Sequence, residues 1–151
     1  MKRQPDPRMH SVEHILNQTM VRLYGCGRCF TAHIERKKSK CDYYFDHALT
    51  NEEISDIQSR VNNIIDSDLP VTESFVPKDT VEGLYNTEKV PNTIDGNLRI
   101  IHIGDYDACP CIGEHVSSTG EIGTFRITTT SYSDGKLRIR FKLSRSSVIQ
   151  E

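Results

Sequence analysis

Apolar residues recur at three- and four-residue steps in two stretches of the chain, and each predicts a helix. Met9, Val12, Leu16, Met20 and Leu23 mark the first. Asp6 is placed to cap it, Pro7 suits its first turn, and Gly25 stops it after about Tyr24. In the second, Thr50 and Glu53 have the spacing of a capping box. Ile54, Ile57, Val61, Ile64 and Ile65 follow as the buried face, and Pro70 ends the helix. Elsewhere the pattern is that of strands. Residues 28–46 read as a hairpin: Cys29 to Glu35, a basic turn, then Asp42 to Asp46. Leu69 to Val76 and Leu98 to Ile103 read as strands. Between them lie a short helix, Lys78 to Tyr85, and a polar loop over 86–96. Thr124 to Tyr132 and Lys136 to Leu143 form a second hairpin across Asp134-Gly135, a favoured two-residue turn. The last strand alternates, with Leu137, Ile139, Phe141 and Leu143 on one face and Arg138, Arg140 and Lys142 on the other. The expected fold is α+β, a two-layer sandwich of a mostly antiparallel sheet with two long helices packed on it. Residues 1–7 are expected to be a lead-in, 8–145 a single domain and 146–151 a tail.

Composition narrows this little. The chain has 151 residues and is 36% hydrophobic, enough for one core without covalent staples. Net charge is −2, so any polyanion would have to meet a local basic face. Two candidates stand out: the turn residues Arg36, Lys37, Lys38 and Lys40, and the strand residues Arg138, Arg140 and Lys142 with Arg145 beyond. The N-terminus has no apolar run of the signal-peptide kind, and no stretch of about 18 apolar residues suggests a membrane span. Cysteines stand at 26, 29, 41, 109 and 111. Their number is odd, which favours reduced thiols over a disulfide framework and agrees with a cytoplasmic protein.

His10 and His14 lie four apart on the first predicted helix, one turn apart on one face and within span of a single ion. Far along the chain, Cys109-Pro-Cys111-Ile-Gly-Glu-His115 is expected on a loop. Thiolate and imidazole are ligands that zinc takes, and four N/S donors satisfy its tetrahedral preference. Spacing alone allows Cys109 or Cys111 as the sulfur ligand. Cys26-Gly-Arg-Cys29 is a competing pair that could join Cys109 and Cys111 in a four-cysteine site, or simply pack at a helix-to-strand turn. His33, His47 and His102 are expected to be structural or exposed. Glu13 is about 100° around the helix from His14 and is expected to face water. Glu114 is the better candidate general base.

His10-Ser-Val-Glu-His14-Ile-Leu resembles the H-[TS]-x-x-H-x-L signature of the editing domain of alanyl- and threonyl-tRNA synthetases. Cys111-Ile-Gly-Glu-His115-Val resembles that family's C-x-G-[TP]-H-V signature. Asp107 ahead of the cysteine and Ser118-Thr-Gly-Glu-Ile-Gly123 after the histidine have counterparts there too, as do Leu49 to Glu53, Val61 to Asp66 and Leu69 to Val71. The resemblance extends over roughly residues 8–143. It implies that His10, His14, Cys111 and His115 bind zinc. It also implies a trans-acting aminoacyl-tRNA deacylase of the short, freestanding kind, which hydrolyses serine or glycine from alanine tRNA and docks the aminoacylated acceptor end. The chain departs from the family pattern at Glu114, where Thr or Pro is usual, and at Ile112-Gly113, where a glycine pair is usual. The alternatives are a module of the same fold that binds tRNA or an amino acid without hydrolysis, and a purely structural zinc.

Overall fold

The computed structural model describes residues 6–77 and 97–144. The predicted helix over 78–85, the loop over 86–96 and Arg145 lie outside them. Helix α1 spans Pro7–Tyr24. Asp6 caps it by accepting a hydrogen bond from the Arg8 amide at 2.9 Å. Gly25, at φ 68°, closes it with an amide bond to the Val21 carbonyl, the left-handed conformation that a Cβ disfavours. Strands β1 (Thr31–His33) and β2 (Ser39–Tyr44) follow, then α2 (Asn51–Asp66) with both halves of the Thr50/Glu53 capping box formed. After them come β3 (Val71–Pro77), β4 (Asn97–Ile103), β5 (Asp107–Pro110), a single 3₁₀ turn at Thr119–Glu121, β6 (Thr124–Ser133) and β7 (Lys136–Ser144). No helix among the described residues is long and apolar enough to cross a membrane.

The fold is α+β with antiparallel strands throughout, but the strands form two sheets. One has the order β1-β2-β7-β6, the other β3-β4-β5. The β6–β7 hairpin turns at Asp134 and Gly135, both at positive φ, as the Asp-Gly pair predicts. The first hairpin is shorter than its hydrophobic pattern suggests. β1 keeps three residues, all exposed, because it is an edge strand with one partner.

The larger sheet turns Cys41, Tyr43, Phe125, Leu137, Ile139 and Phe141 inward against Met9, Val12, Leu16 and Met20 of α1 and Ile57, Val61 and Ile65 of α2. α1 is more deeply buried than one apolar stripe requires: Ser11, His14, Asn17 and Thr19 are buried as well. The helix is covered on two faces, by the larger sheet on one and by α2, β5 and the 3₁₀ turn on the other. Polar positions on α1 therefore face protein, and that is what allows them to build a site.

β6 is the open edge of its sheet, and α2 closes part of it with side chains. Asn62 donates to the Phe125 carbonyl at 2.9 Å and accepts from the Phe125 amide at 2.8 Å. Gln58 accepts from the Ile127 amide at 2.8 Å. An unpaired strand edge is both costly and adhesive. Asn62→Ala strands the amide and carbonyl of Phe125, and a loss of about 1–3 kcal/mol is expected in urea unfolding. Asn63→Ala, one residue along on the exposed side of α2, should stay within about 0.5 kcal/mol of the parent.

Candidate metal centre

His10 and His14 project from the first two turns of α1, and Cys111 and His115 come from the loop that leaves β5. Their ligand atoms all lie within 4.8 Å of one another. The Cys111 sulfur is 3.4 Å from His10 Nε2 and 3.5 Å from His115 Nε2. The His10 and His115 rings stack at 4.4 Å, and His14 stands edge-on to both. β5 runs to Pro110, so Cys109 sits in a strand and Cys111 is the first residue beyond it, where the whole segment reads as loop from sequence alone.

Three contacts hold the ligand loop. Ser11, one residue after His10, bonds His115 Nδ1 at 2.9 Å and accepts from the Val116 amide at 3.2 Å. This leaves the other nitrogen of His115 to face the sulfur. Arg99, in the middle of β4, donates to the carbonyls of Cys111 and Gly113 at 3.2 and 2.7 Å and is itself held by Glu73 at 2.6 Å. The backbone at Gly113 passes against the His10 ring: a Cβ there would stand 2.6 Å from His10 Nδ1. Below the cluster the Asp107 carboxylate, fully buried, lies 3.6 Å from His14 Nδ1. It accepts from Gln18 at 2.9 Å and from both ends of the Arg28 guanidinium at 2.8 and 3.3 Å. Sequence reasoning missed Arg99, Ser11 and Arg28. The signal for Arg99 was an arginine set between Leu98 and Ile100 in a mostly apolar strand.

Electrostatics favour a thiolate beside a cation. Burial pushes the Cys111 thiol up, but the three imidazoles outweigh it and bring its pKa down to about 3. Burial likewise lowers His14, yet Asp107, the Cys111 sulfur and Glu13 carry it up to about 9. His115 is lowered, chiefly by burial. Among the described residues, Nδ1 of His10 and Nδ1 of His14 are buried without a hydrogen-bond partner.

The donor set fits zinc. Two ligands of one tetrahedral zinc, at Zn–S about 2.3 Å and Zn–N about 2.0–2.1 Å, stand about 3.6 Å apart. The two nitrogen–sulfur separations are close to that.

The competing four-cysteine arrangement is not formed. Cys26 turns its sulfur to the Met20 carbonyl, Cys29 lies with Cys41, and Cys109 is half-buried, its pKa raised to about 12 mainly by desolvation. His33 is exposed, His47 pairs with Asp46 and Glu53, and His102 with Ser74. Glu114 is exposed on the ligand loop. Glu13 departs from its expected place in water. It is three residues from His10, so it shares that face, and Oε1 lies 3.8 Å from His10 Nε2 with the side chain only 15% exposed.

The basic candidates divide. Arg36, Lys37 and Lys38 are exposed in the β1–β2 turn, and Lys40 stands directly across from Arg140. Lys142 is paired across the strands with Arg126, which the sequence reading did not single out. Arg138 forms a two-point ion pair with Asp42 at 2.7 and 2.9 Å, which holds the Asp42 carboxyl below its ordinary range.

Two helices on antiparallel strands, with a His/Cys cluster between α1 and the loop after β5, are the attributes of the resembled domain class. Residues 98–140 match the family model described as the threonyl and alanyl tRNA synthetase second additional domain. The chain carries a domain of that alanyl- and threonyl-tRNA-synthetase type. Its relatives include alanine–tRNA ligases. That of Halorubrum lacusprofundi is 32% identical over 116 residues, 73% of this chain, and that of Aeropyrum pernix 30% over 139 residues, 89% of it. The Methanopyrus kandleri enzyme is 27% identical over 149 residues, 93% of the chain. The chain spans only 12–16% of these relatives' length.

Ser11→Ala frees the His115 ring, and zinc affinity measured by chelator competition should fall on the order of 10–100-fold. Gly113→Ala should displace His10 and lower affinity by at least about tenfold, with the far-UV circular dichroism unchanged.

Proposed function

We propose that this chain hydrolyses the aminoacyl ester of wrongly charged tRNA, serine or glycine on alanine tRNA, at a zinc centre held by His10, His14, Cys111 and His115. The observation that carries the reading is the convergence of four N/S donors from two segments 97 residues apart. The kinship to alanine–tRNA ligases points to the ester of an aminoacylated tRNA as the substrate.

When bound, the ion supplies a Lewis acid for the ester carbonyl and its attacking water. The protein's own groups do the rest. Asp107 and Ser11 hold the imidazoles of His14 and His115 in place, and Arg99 fixes the loop that presents Cys111. Glu114, on the solvent side of that loop, is the proton acceptor for the water. Glu13 is engaged by Asn17 and Cys29.

The aminoacylated acceptor end enters from the solvent face of the ligand loop. Its phosphates meet the turn cations Arg36, Lys37 and Lys38 and the Lys40, Arg140 and Lys142 face of the larger sheet. Like charges directly opposite each other destabilise a sheet, and a polyanion relieves that cost at Lys40–Arg140 and Arg126–Lys142. α1 and β2 run in the same direction: Glu13 lies with Cys41, and further along both elements Tyr24 packs against Phe45. The basic turn before β2 therefore lies toward the end of α1 that bears His10. Arg138 belongs to this face, but its bond to Asp42 makes it the weakest of these contacts.

The test is an aminoacyl-tRNA assay with the zinc-loaded chain supplied in trans. Seryl- and glycyl-tRNA(Ala) should be hydrolysed and alanyl-tRNA(Ala) spared. His14→Ala should abolish release, and Glu114→Gln should lower kcat with little change in KM. No release from any of the three overturns the reading.

A further inference from the structure

A second group of ligand atoms adjoins the first. Glu13 of α1, Cys29 of the turn before β1 and Cys41 of β2 bring a carboxylate oxygen and two sulfurs within 4.8 Å of one another. Cys41 is fully buried. Glu13 Oε2 accepts from the Cys29 thiol at 3.6 Å and from Asn17 Nδ2 at 3.2 Å, while Oε1 faces His10. Both cysteines are reduced. Asn17 fixes the wall of the site: its oxygen accepts from the Cys29 amide at 3.2 Å and the Tyr43 hydroxyl at 2.7 Å.

A carboxylate largely withdrawn from water, as that of Glu13 is, is normally satisfied by a charged partner, strong hydrogen bonds or a metal. Here a thiol, a weak donor, and one amide supply its close hydrogen bonds. Carboxylate and thiolate oxygen and sulfur are donors that zinc accepts. The charge balances as well. Two thiol protons leave as Zn²⁺ enters, so the net charge of the buried cluster is unchanged and burial exacts no added penalty.

We infer that Glu13, Cys29 and Cys41 form a second zinc site, with the Glu13 carboxylate standing between it and the His10 cluster. Glu13 and the two cysteines are far apart in sequence, and the packing of α1 on β2 brings them together.

Metal content per chain tests this on protein loaded with zinc under reducing conditions and then desalted. Two zinc ions are expected in the parent chain, one in Cys29→Ser/Cys41→Ser and one in His14→Ala. One ion in the parent, unaffected by the double substitution, overturns the site. Cys29→Ser alone, at a half-buried turn, serves if the double variant does not fold. A cobalt titration of the parent needs no variant: sulfur-to-cobalt absorbance should rise through two equivalents, and saturation at one overturns the inference. A chain that holds one zinc and still deacylates would remove this site alone and leave the proposed activity in place.

Discussion

A carboxylate taken out of water must recover both charge and hydrogen bonds, and Asp107 finds them on two other segments at once. Arg28, from the turn that follows α1, grips it at two points, and Gln18 and His14 reach it from successive turns of α1. That contact sets the height of α1 against β5. Since Cys111 begins where β5 ends, the same contact sets the distance between the histidine pair and the loop that carries Cys111 and His115. Arg28 and Asp107 sustain one another: the carboxylate raises the guanidinium's pKa and the guanidinium helps lower that of the carboxyl. Removing Arg28 would leave the buried Asp107 carboxylate with His14 and Gln18 alone, the costly way to break such a pair.

The remainder of the centre is built outward from this anchor. α1 turns its apolar residues to the sheet and its small and polar residues to the ligand loop, so Ser11, His14 and Gln18 work on a helix face that a solvated helix would leave wet. Arg99 performs the equivalent task from the other sheet, tying two carbonyls of the loop to a strand. The four candidate ligands are thus oriented by groups that are held in turn, and outer contacts of this kind govern affinity as much as ligand identity does.

Much of the architecture was legible because its determinants are local. The Thr50/Glu53 capping box, the Asp6-Pro7 start, the Gly25 stop and the Asp134-Gly135 turn each depend on residues within a few positions of one another. So does the alternation of Leu137, Ile139, Phe141 and Leu143. The division into two sheets was not legible, because strand partnership is decided by packing between distant segments. Glu13 was misread for a related reason. Its angular distance from His14 suggested water, whereas its spacing from His10 and the covering of α1 on two faces place it inside. The charged strand face shows the same limit. Alternation identified Arg138, Arg140 and Lys142 as one row, and only the register against β2 shows that Arg138 is tied to Asp42 while Arg140 faces Lys40.

The sequence by itself determined the helices, most strands and the two halves of the His/Cys cluster. These follow from periodicity and from short motifs whose residues are neighbours in the chain. Spacing left Cys109 and Cys111 open and the resemblance implied Cys111; tertiary structure alone decided that the halves meet and that Cys29 joins Cys41 and Glu13. Each of those outcomes depends on the depth at which α1 sits between the sheet and β5. That depth is set by summed burial and by one desolvated ion pair between residues 79 positions apart, and no local pattern encodes it.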